Sequence, residues 1–164
     1  MATKESGLYR AAFAGNLQEV ERLVEKGAIP DSANNGEGWS ALVAVAKEGH
    51  ADVLRVLVRA GATIDQPGGP VGATALIMST YKGHAKCVEA LVGMGADVSV
   101  ANSNRDTALH SAACNGHLEC ARLLVGAGAD LTKRNGQGKT ALDFAKETRN
   151  TEIVALLQAR DGSS

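Results

Sequence analysis

The chain has 164 residues, of which 45% are hydrophobic and 3% aromatic, and its 17 basic and 18 acidic residues leave a formal net charge of -1. This balance excludes a strong electrostatic footprint for nucleic acid or for an anionic membrane surface. No apolar run approaches the ~18 residues of a membrane-spanning helix. We therefore expect neither nucleic-acid binding nor membrane insertion.

Two short helices are the first predicted elements. Residues 1–6 lack apolar periodicity and are predicted to be a disordered lead-in, so structure is expected to begin near Gly7. Residues 8–14 then predict one helix, Gly15 a left-handed stop, and residues 17–26 a second helix that returns antiparallel to the first.

This two-helix pattern recurs along the chain at a nearly fixed interval. The glycine after the first helix recurs in steps of 34, 34, 33 and 33 residues, with an arginine at the last position, and a leucine in that helix shows the same steps. These positions are Leu8, Leu42, Leu76, Leu109 and Leu142, and Gly15, Gly49, Gly83, Gly116 and Arg149. A period in this range is typical of a solenoid, in which each unit buries its apolar face against its neighbours.

Polar links rich in glycine, asparagine and aspartate connect the units, and they are predicted to form protruding hairpin fingers. The links are residues 28–38, 62–72, 96–105 and 129–138. A hydroxyl that follows each link is placed to cap the next helix, and the four hydroxyls belong to Ser40, Thr74, Thr107 and Thr140. Asp143 completes a capping box with Thr140. The prolines Pro67 and Pro70 of the second link indicate a tolerated surface insertion, with a mobile binding loop as the alternative.

The second helices hold the larger apolar residues, at helical spacing. In the internal units this stripe is Val53, Leu54, Leu57 and Val58, then Cys87, Val88, Leu91 and Val92, then Cys120, Ala121, Leu124 and Val125. Glu19 and Gln158 are polar at the two ends of the stack, where the other units are apolar, so we expect a complete, capped stack. Arg149 stands where the other units have a glycine of expected positive φ, a conformation that strains a residue with a side chain. We therefore expect the last unit to fray first.

The three cysteines, in a chain with no signal-peptide pattern, indicate a reducing compartment. Cys87 and Cys120 are equivalent in consecutive units, where helix packing holds their backbones about 10 Å apart, beyond the ~7 Å limit for a disulfide. We expect both to be buried, inert thiols. We also expect a cytoplasmic protein, with the nucleus as the alternative.

Three segments of the fourth unit together resemble an ankyrin repeat. They are Thr107-Ala108-Leu109-His110, Asn115-Gly116-His117-Leu118-Glu119 and Gly126-Ala127-Gly128-Ala129-Asp130. The pattern recurs five times over about residues 7–159, with alanine in place of the family's usual proline and with the first histidine kept only at His110. The resemblance implies an all-α ankyrin-repeat solenoid of helix-turn-helix units with β-hairpin-like fingers. Its single domain would span residues 7–160, in units of about 7–27, 28–61, 62–95, 96–128 and 129–160, before a tail at 161–164.

Candidate catalytic and metal-binding residues are weakly supported. His50, His84 and His117 each follow a turn glycine, but equivalent atoms in adjacent units lie about 10 Å apart, whereas a zinc ligand lies ~2 Å from its metal. They are interpreted as turn histidines that bond nearby backbone. His110 and Cys114 are close enough on one helix to touch, but no oxyanion site accompanies them. We therefore expect no enzyme, no metal and no cofactor.

The resemblance further implies that the concave, inner face of the stack binds another protein. In the family, contacts come mainly from the finger residue before the capping hydroxyl and from the end of the first helix. Carried over, the contact residues are Phe13, Trp39, Lys47, Glu48, Tyr81, Lys82, Asp106, Cys114, Asn115 and Lys139, with Ala73, Glu147 and Thr148 at the same positions. The three aromatic residues among them are predicted hot spots, with local packing as the alternative.

These features together predict a monomeric, non-catalytic adaptor or stoichiometric inhibitor that binds a protein partner. The alternative is a non-catalytic regulatory subunit of a larger enzyme or channel complex. Co-purification distinguishes the two, because a permanent subunit stays bound to its complex through size-exclusion chromatography.

Overall fold

The structure, a computed structural model, describes residues 4–161. This part of the chain contains ten α-helices and a short 3₁₀ helix at Pro30–Ser32, which the sequence did not predict. The α-helices are α1 (Lys4–Phe13), α2 (Leu17–Glu25), α3 (Ala41–Glu48), α4 (Ala51–Arg59), α5 (Ala75–Lys82), α6 (Ala85–Gly93), α7 (Ala108–Asn115), α8 (Leu118–Gly126), α9 (Ala141–Glu147) and α10 (Thr151–Asp161). None of the helices between Lys4 and Asp161 is long and apolar enough to cross a membrane.

The helices lie in two rows. The odd-numbered helices contact one another in chain order and form the inner row, while the even-numbered helices form the outer row in the same way. Each inner helix also packs on the outer helix that follows it, which confirms the all-α solenoid of five helix pairs. The two rows enclose one continuous hydrophobic cluster between them, so each unit buries its apolar residues against its neighbours.

Leucines of the outer row and alanines of the inner row build this core. Leu57, Leu91 and Leu124 are each 0% exposed, and so are the inner-row residues Ala46 and Ala112. The predicted apolar stripe is buried except at Val58 and Val92, which are half-buried. Small side chains on the inner helices let the helix backbones lie close together, which suits a core with so few aromatic residues.

Capping side chains set the starts of the inner helices, as predicted. Oγ of Ser40 accepts from the Val43 amide and Oγ1 of Thr74 accepts from the Ile77 amide, each at 3.3 Å. Thr140 forms the predicted capping box with Asp143, whose Oδ2 accepts from the Thr140 amide at 2.9 Å and from the Thr140 hydroxyl at 2.8 Å. These bonds satisfy amides that the first turn of a helix leaves without partners.

Asp143→Ala is expected to lower the free energy of unfolding by about 1 kcal/mol or less at pH 7, because the variant loses half of an exposed capping box. The hydrogen bonds from the backbone and the hydroxyl of Thr140 lower the pKa of Asp143. A lowered folded-state pKa means that the contribution is present above the unfolded value of about 4 and is lost as the pH falls through the folded value. Urea titrations of both proteins should therefore differ at pH 7 and converge once the pH is below the lowered pKa of Asp143; a difference that stays the same as the pH falls would contradict the assignment.

The histidines that follow the turn glycines join consecutive units. His84 Nε2 lies 3.0 Å from the Lys47 carbonyl and His117 Nε2 lies 3.1 Å from the Tyr81 carbonyl, so each ring donates to the preceding unit. The sequence predicted bonds to nearby backbone, whereas these bonds cross the unit boundary. In the last unit Asn150 takes the histidine position, and its amide donates to the Ala113 carbonyl at 3.0 Å.

Each of these side chains lies directly over the turn glycine of the preceding unit. A Cβ at Gly49 would lie 2.8 Å from His84 Nδ1, and a Cβ at Gly83 would lie 2.7 Å from His117 Cε1. These glycines also have φ of 84° and 77°, in the left-handed region that side chains disfavour. The turn therefore needs glycine for two separate reasons, its backbone conformation and the ring that covers it.

The N-terminal helix begins earlier than predicted. α1 begins at Lys4 rather than near Gly7, so residues 4–6 of the predicted lead-in are helical, and residues 1–3 lie outside the described part. Lys4 Nζ donates to the Lys26 carbonyl at 2.9 Å. This contact with the end of the neighbouring helix is independent of apolar periodicity, which is why the pattern missed it.

The two ends of the described stack carry polar side chains on their outer helices. Glu19 is half-buried and forms a bidentate ion pair with Arg22, and Gln158 is exposed. Arg149 has the predicted positive φ, at 58°. α10 continues to Asp161, and residues 162–164 of the predicted tail lie outside the described residues.

Candidate interaction face

Four fingers project from the links between units, and we number them 1 to 4 in chain order. Each is closed at its neck by a backbone bond, such as the Asn102 amide to the Asp106 carbonyl at 3.0 Å or the Asn135 amide to the Lys139 carbonyl at 2.9 Å. Fingers 1, 2 and 3 each add one isolated antiparallel bridge. The predicted hairpin-like fingers are therefore confirmed.

Asparagine side chains shape three of the finger tips. Oδ1 of Asn35, Asn102 and Asn135 each accepts two backbone amides of its own tip, at distances between 2.9 and 3.2 Å. Asparagine suits this role because its side chain replaces a backbone acceptor in a tight turn. The sequence showed asparagine only as part of a polar composition, although its recurrence five residues before the capping hydroxyl was a usable signal.

Backbone hydrogen bonds join each finger to the next. The Gly69 amide donates to the Gly38 carbonyl at 2.9 Å, the Ser103 amide to the Val71 carbonyl at 2.9 Å, and the Gly136 amide to the Asn104 carbonyl at 2.8 Å. A Cβ at Gly136 would lie 2.9 Å from the same Asn104 oxygen, which leaves room only for glycine. The finger row is thus a connected ribbon that holds the finger tips at fixed positions above the inner helices.

The three predicted aromatic contact residues have different surroundings. Tyr81 is 50% exposed at the end of α5. Phe13 is 45% exposed and its ring stacks on Tyr9 with centroids 6.3 Å apart. Trp39 is half-buried, and the Cβ position of Gly69 lies 2.7 Å from its ring, so the indole packs on finger 2. Local packing, the alternative interpretation, fits Trp39; the exposed ring of Tyr81 fits a contact residue.

The predicted lysines lie over aromatic rings. Lys47 Nζ is 5.5 Å from the centroid of Trp39, Lys82 Nζ is 5.5 Å from that of Tyr81, and Lys139 Nζ is 5.4 Å from that of Phe144. An ammonium group at this distance is attracted to the ring face. Lys139 Nζ also donates to Glu147 Oε2 at 2.8 Å, so this lysine is already paired within the fold.

The remaining predicted residues differ in how freely their polar groups face solvent. Asp106 is half-buried, and its Oδ1 accepts from Asn135 Nδ2 at 2.7 Å. Asn115 is exposed and donates to the Ser111 carbonyl at 2.9 Å. Cys114 and Glu48 are exposed. Burial raises the pKa of Tyr9, and the nearby charges of Glu37 and Glu48 raise it further.

An open groove of about 590 Å³ lies between the last two fingers and the inner helices below them. Its walls are Ser103, Asn104, Arg105, Asp106, Cys114, Asn135, Gly136, Gln137 and Phe144. A smaller hollow of about 110 Å³ shares Asp106, Cys114 and Phe144 with it and adds Tyr81, His110, Ser111 and Asn115. We call the two together the inner groove. It unites four of the predicted contact residues, and its walls Arg105 and Phe144 were absent from the prediction.

His110 and Cys114 do not form a nucleophile and base pair. His110 is buried, its Nδ1 accepts from the Thr107 amide at 3.2 Å, and its Nε2 lies 3.1 Å from the Lys139 carbonyl. Both ring nitrogens are therefore used in holding α7 and finger 4, and neither is free to take a proton from the thiol.

The other two cysteines are buried free thiols, as predicted. Burial raises the pKa of both Cys87 and Cys120 to about 11, which keeps them protonated and unreactive at neutral pH. Within residues 4–161, no three side chains of the histidine, cysteine, aspartate or glutamate type come together as a metal site.

The geometry defines a class of protein: a repeat solenoid of five helix pairs whose fingers are joined into one ribbon. A family model described as ankyrin repeats (three copies) matches residues 8–102 and again residues 94–163. The chain belongs to the ankyrin repeat family. A comparison with curated proteins found no match. Ankyrin repeats are in general protein–protein interaction modules, and they typically lack catalytic activity.

Proposed function

We propose that this protein binds a protein partner on its inner groove and acts without catalysis, as an adaptor or a stoichiometric inhibitor. We further propose that the protein is a monomer and is located in the cytoplasm, where the free thiols of Cys87, Cys114 and Cys120 stay reduced.

The exposed ring of Tyr81 beside the inner groove is the observation that carries the proposal. Half of this side chain faces solvent, although the core of the repeat does not need it. The ring borders a hollow whose other walls include Cys114 and Phe144. Exposed aromatic side chains beside a groove are typical binding hot spots, because they bury a large apolar area at little cost in side-chain entropy.

Tyr81→Ala is expected to weaken partner binding by about 2 kcal/mol or more, roughly 30-fold in Kd. The free energy of unfolding should change by less than about 0.5 kcal/mol, because the ring is outside the core. Affinity purification of the wild-type chain from its native cell, with mass spectrometry, identifies the partner, and isothermal titration calorimetry then measures Kd and stoichiometry.

Ile29→Ala is the matched control, since Ile29 is 58% exposed but does not border the inner groove. It should leave Kd unchanged. Equal Kd values for the wild type and Tyr81→Ala would refute the proposed site. A partner complex that never dissociates during size-exclusion chromatography would instead favour the regulatory-subunit alternative.

A further inference from the structure

Arg105 occupies a backbone position that the other three fingers give to glycine. Its φ is 63°, and the equivalent residues Gly38, Gly72 and Gly138 have φ of 84°, 58° and 75°. A side chain at a positive φ costs free energy relative to glycine. The strain comes from the backbone rather than from a clash, because a Cβ would meet no atom within 4 Å at Gly38 or Gly138.

No polar contact of the Arg105 side chain in the described part of the chain offsets this strain. The Arg105 side chain is exposed and makes no hydrogen bond or ion pair within residues 4–161; only its backbone amide is bonded, to the Asn102 carbonyl at 2.8 Å. A residue that strains the backbone and gains no internal contact points to a role outside the fold.

Arg105 also forms no ion pair with the acidic residues around the inner groove. The acid next to it, Asp106, already accepts from Asn135 at 2.7 Å. Across the groove, Glu147 pairs with Lys139 at 2.8 Å and Asp143 accepts from Thr140. Asp106 keeps its charge, because the amide of Asn135 is neutral, but no carboxylate within residues 4–161 lies at ion-pair distance from Arg105. The guanidinium on the wall of the inner groove therefore has no ion-pair partner in the described part of the chain.

Apolar and aromatic surface lies beside this cation. Phe144 and Cys114 line the groove together with Arg105, and the adjoining hollow extends the same walls to Tyr81. A ligand that fits both features carries a carboxylate and, a few ångströms away, an apolar side chain. A guanidinium binds a carboxylate through two parallel hydrogen bonds, which fixes the orientation of the group as well as its charge.

We propose that Arg105 anchors an acidic side chain of the partner in the inner groove, an inference that rests on the proposed function. The occupant is a peptide segment of a partner protein in which aspartate or glutamate lies next to a leucine or an aromatic residue. Its carboxylate pairs with Arg105, and its apolar side chain lies between Tyr81 and Phe144. Arg105 is thus the residue that selects the charge of the partner segment, while Tyr81 contributes apolar contact area.

A random dodecapeptide phage library selected on the wild-type chain tests this proposal. The selected peptides should be enriched in an acidic residue next to an apolar one. Fluorescein-labelled synthetic copies are then titrated by fluorescence polarisation. Replacing the acidic residue with its amide should weaken binding at least about tenfold. Arg105→Gly should weaken binding of the acidic peptide by the same factor and should leave binding of the amide peptide unchanged.

Arg122→Ala, an exposed arginine on α8 outside the groove, is the control and should bind like the wild type. Arg105→Gly should also raise the urea midpoint, because glycine relieves the strained φ. A lower midpoint would show that the arginine supports the fold, and would overturn the inference.

The remaining outcomes separate this inference from the proposed function. In one outcome, the selected peptides bind Tyr81→Ala more weakly than the wild type, but they are not enriched in acidic residues and bind Arg105→Gly normally. This result would overturn the role of Arg105 in selecting charge, and it would leave the proposed binding site intact. A library that yields no peptide dependent on Tyr81 would overturn both.

Discussion

Leu91→Ala is expected to lower the free energy of unfolding by about 2–5 kcal/mol, the range for a buried leucine that leaves a cavity. Leu91 is 0% exposed on α6, a helix that packs against α4 of the preceding unit and α8 of the following unit. Neighbouring helices cannot close around the cavity without shifting units on both sides. Urea unfolding followed by circular dichroism measures the effect.

Leu123→Ala serves as the matched control for this prediction. Leu123 is also a leucine of the outer row, but it is half-buried on α8. Its truncation should lower the free energy of unfolding by less, about 1 kcal/mol, because a half-buried side chain contributes less buried apolar area. Equal urea midpoints for the wild type and Leu91→Ala would mean that the two helix rows do not pack in this register.

Gly83→Ala is expected to lower the free energy of unfolding by about 1.5–3.5 kcal/mol, which is large for the addition of one methyl group. The φ of 77° accounts for about 1–2 kcal/mol of strain. The added Cβ would lie 2.7 Å from the His117 ring and would displace it from the Tyr81 carbonyl, which removes a hydrogen bond of about 0.5–1.5 kcal/mol. Urea unfolding again gives the difference.

Gly61→Ala separates the two causes. Gly61 has φ of 97° and no atom within 4 Å of an added Cβ, so its substitution should show the backbone strain alone, about 1–2 kcal/mol. A double-mutant cycle with His117→Ala completes the test, because Gly83→Ala should cost less once the ring is absent. Identical costs for Gly83→Ala and Gly61→Ala would show that the ring moves away freely.

Periodicity predicted a solenoid, and the resemblance to ankyrin repeats implied its all-α form with hairpin-like fingers. The steps of 34 and 33 residues in Leu8, Leu42, Leu76 and their equivalents predicted the number of units, because a leucine that recurs at equivalent positions packs against the core in each unit. The caps at Ser40, Thr74 and Thr140 followed from short-range chemistry that is complete within four residues of sequence.

Contacts between units were less predictable. The bond from His84 to the Lys47 carbonyl spans 37 residues, and a repeat pattern states which positions are equivalent without stating which neighbour each side chain contacts. The packing of Trp39 on Gly69 is of the same kind, since it depends on how far finger 2 leans over finger 1. Such distances are set by the packing of whole helices.

The candidate site was predicted in part. Tyr81, Asp106, Cys114 and Asn115 do line one hollow, but the prediction omitted Phe144, which enters the groove from the middle of α9 rather than from its end. Arg105 was detectable: the replacement of a glycine by arginine at an equivalent position had already marked Arg149 as strained. The same comparison applied to the finger tips would have identified it.

Consecutive units meet where a ring or an amide lies over the turn glycine of the preceding unit, and we call this contact a joint. The joints limit how such a chain can lengthen in evolution. Three of the four joints pair a glycine with a histidine, at Gly15 and His50, Gly49 and His84, and Gly83 and His117. Duplication of one whole period inside the array creates a new joint from two surfaces that already match each other. A deletion of any other length inside a helix pair would place a side chain where a ring requires glycine, so the joint restricts viable length changes there to whole periods. The fingers are exempt, because the steps of 34 and 33 residues keep the same joint with fingers of different length.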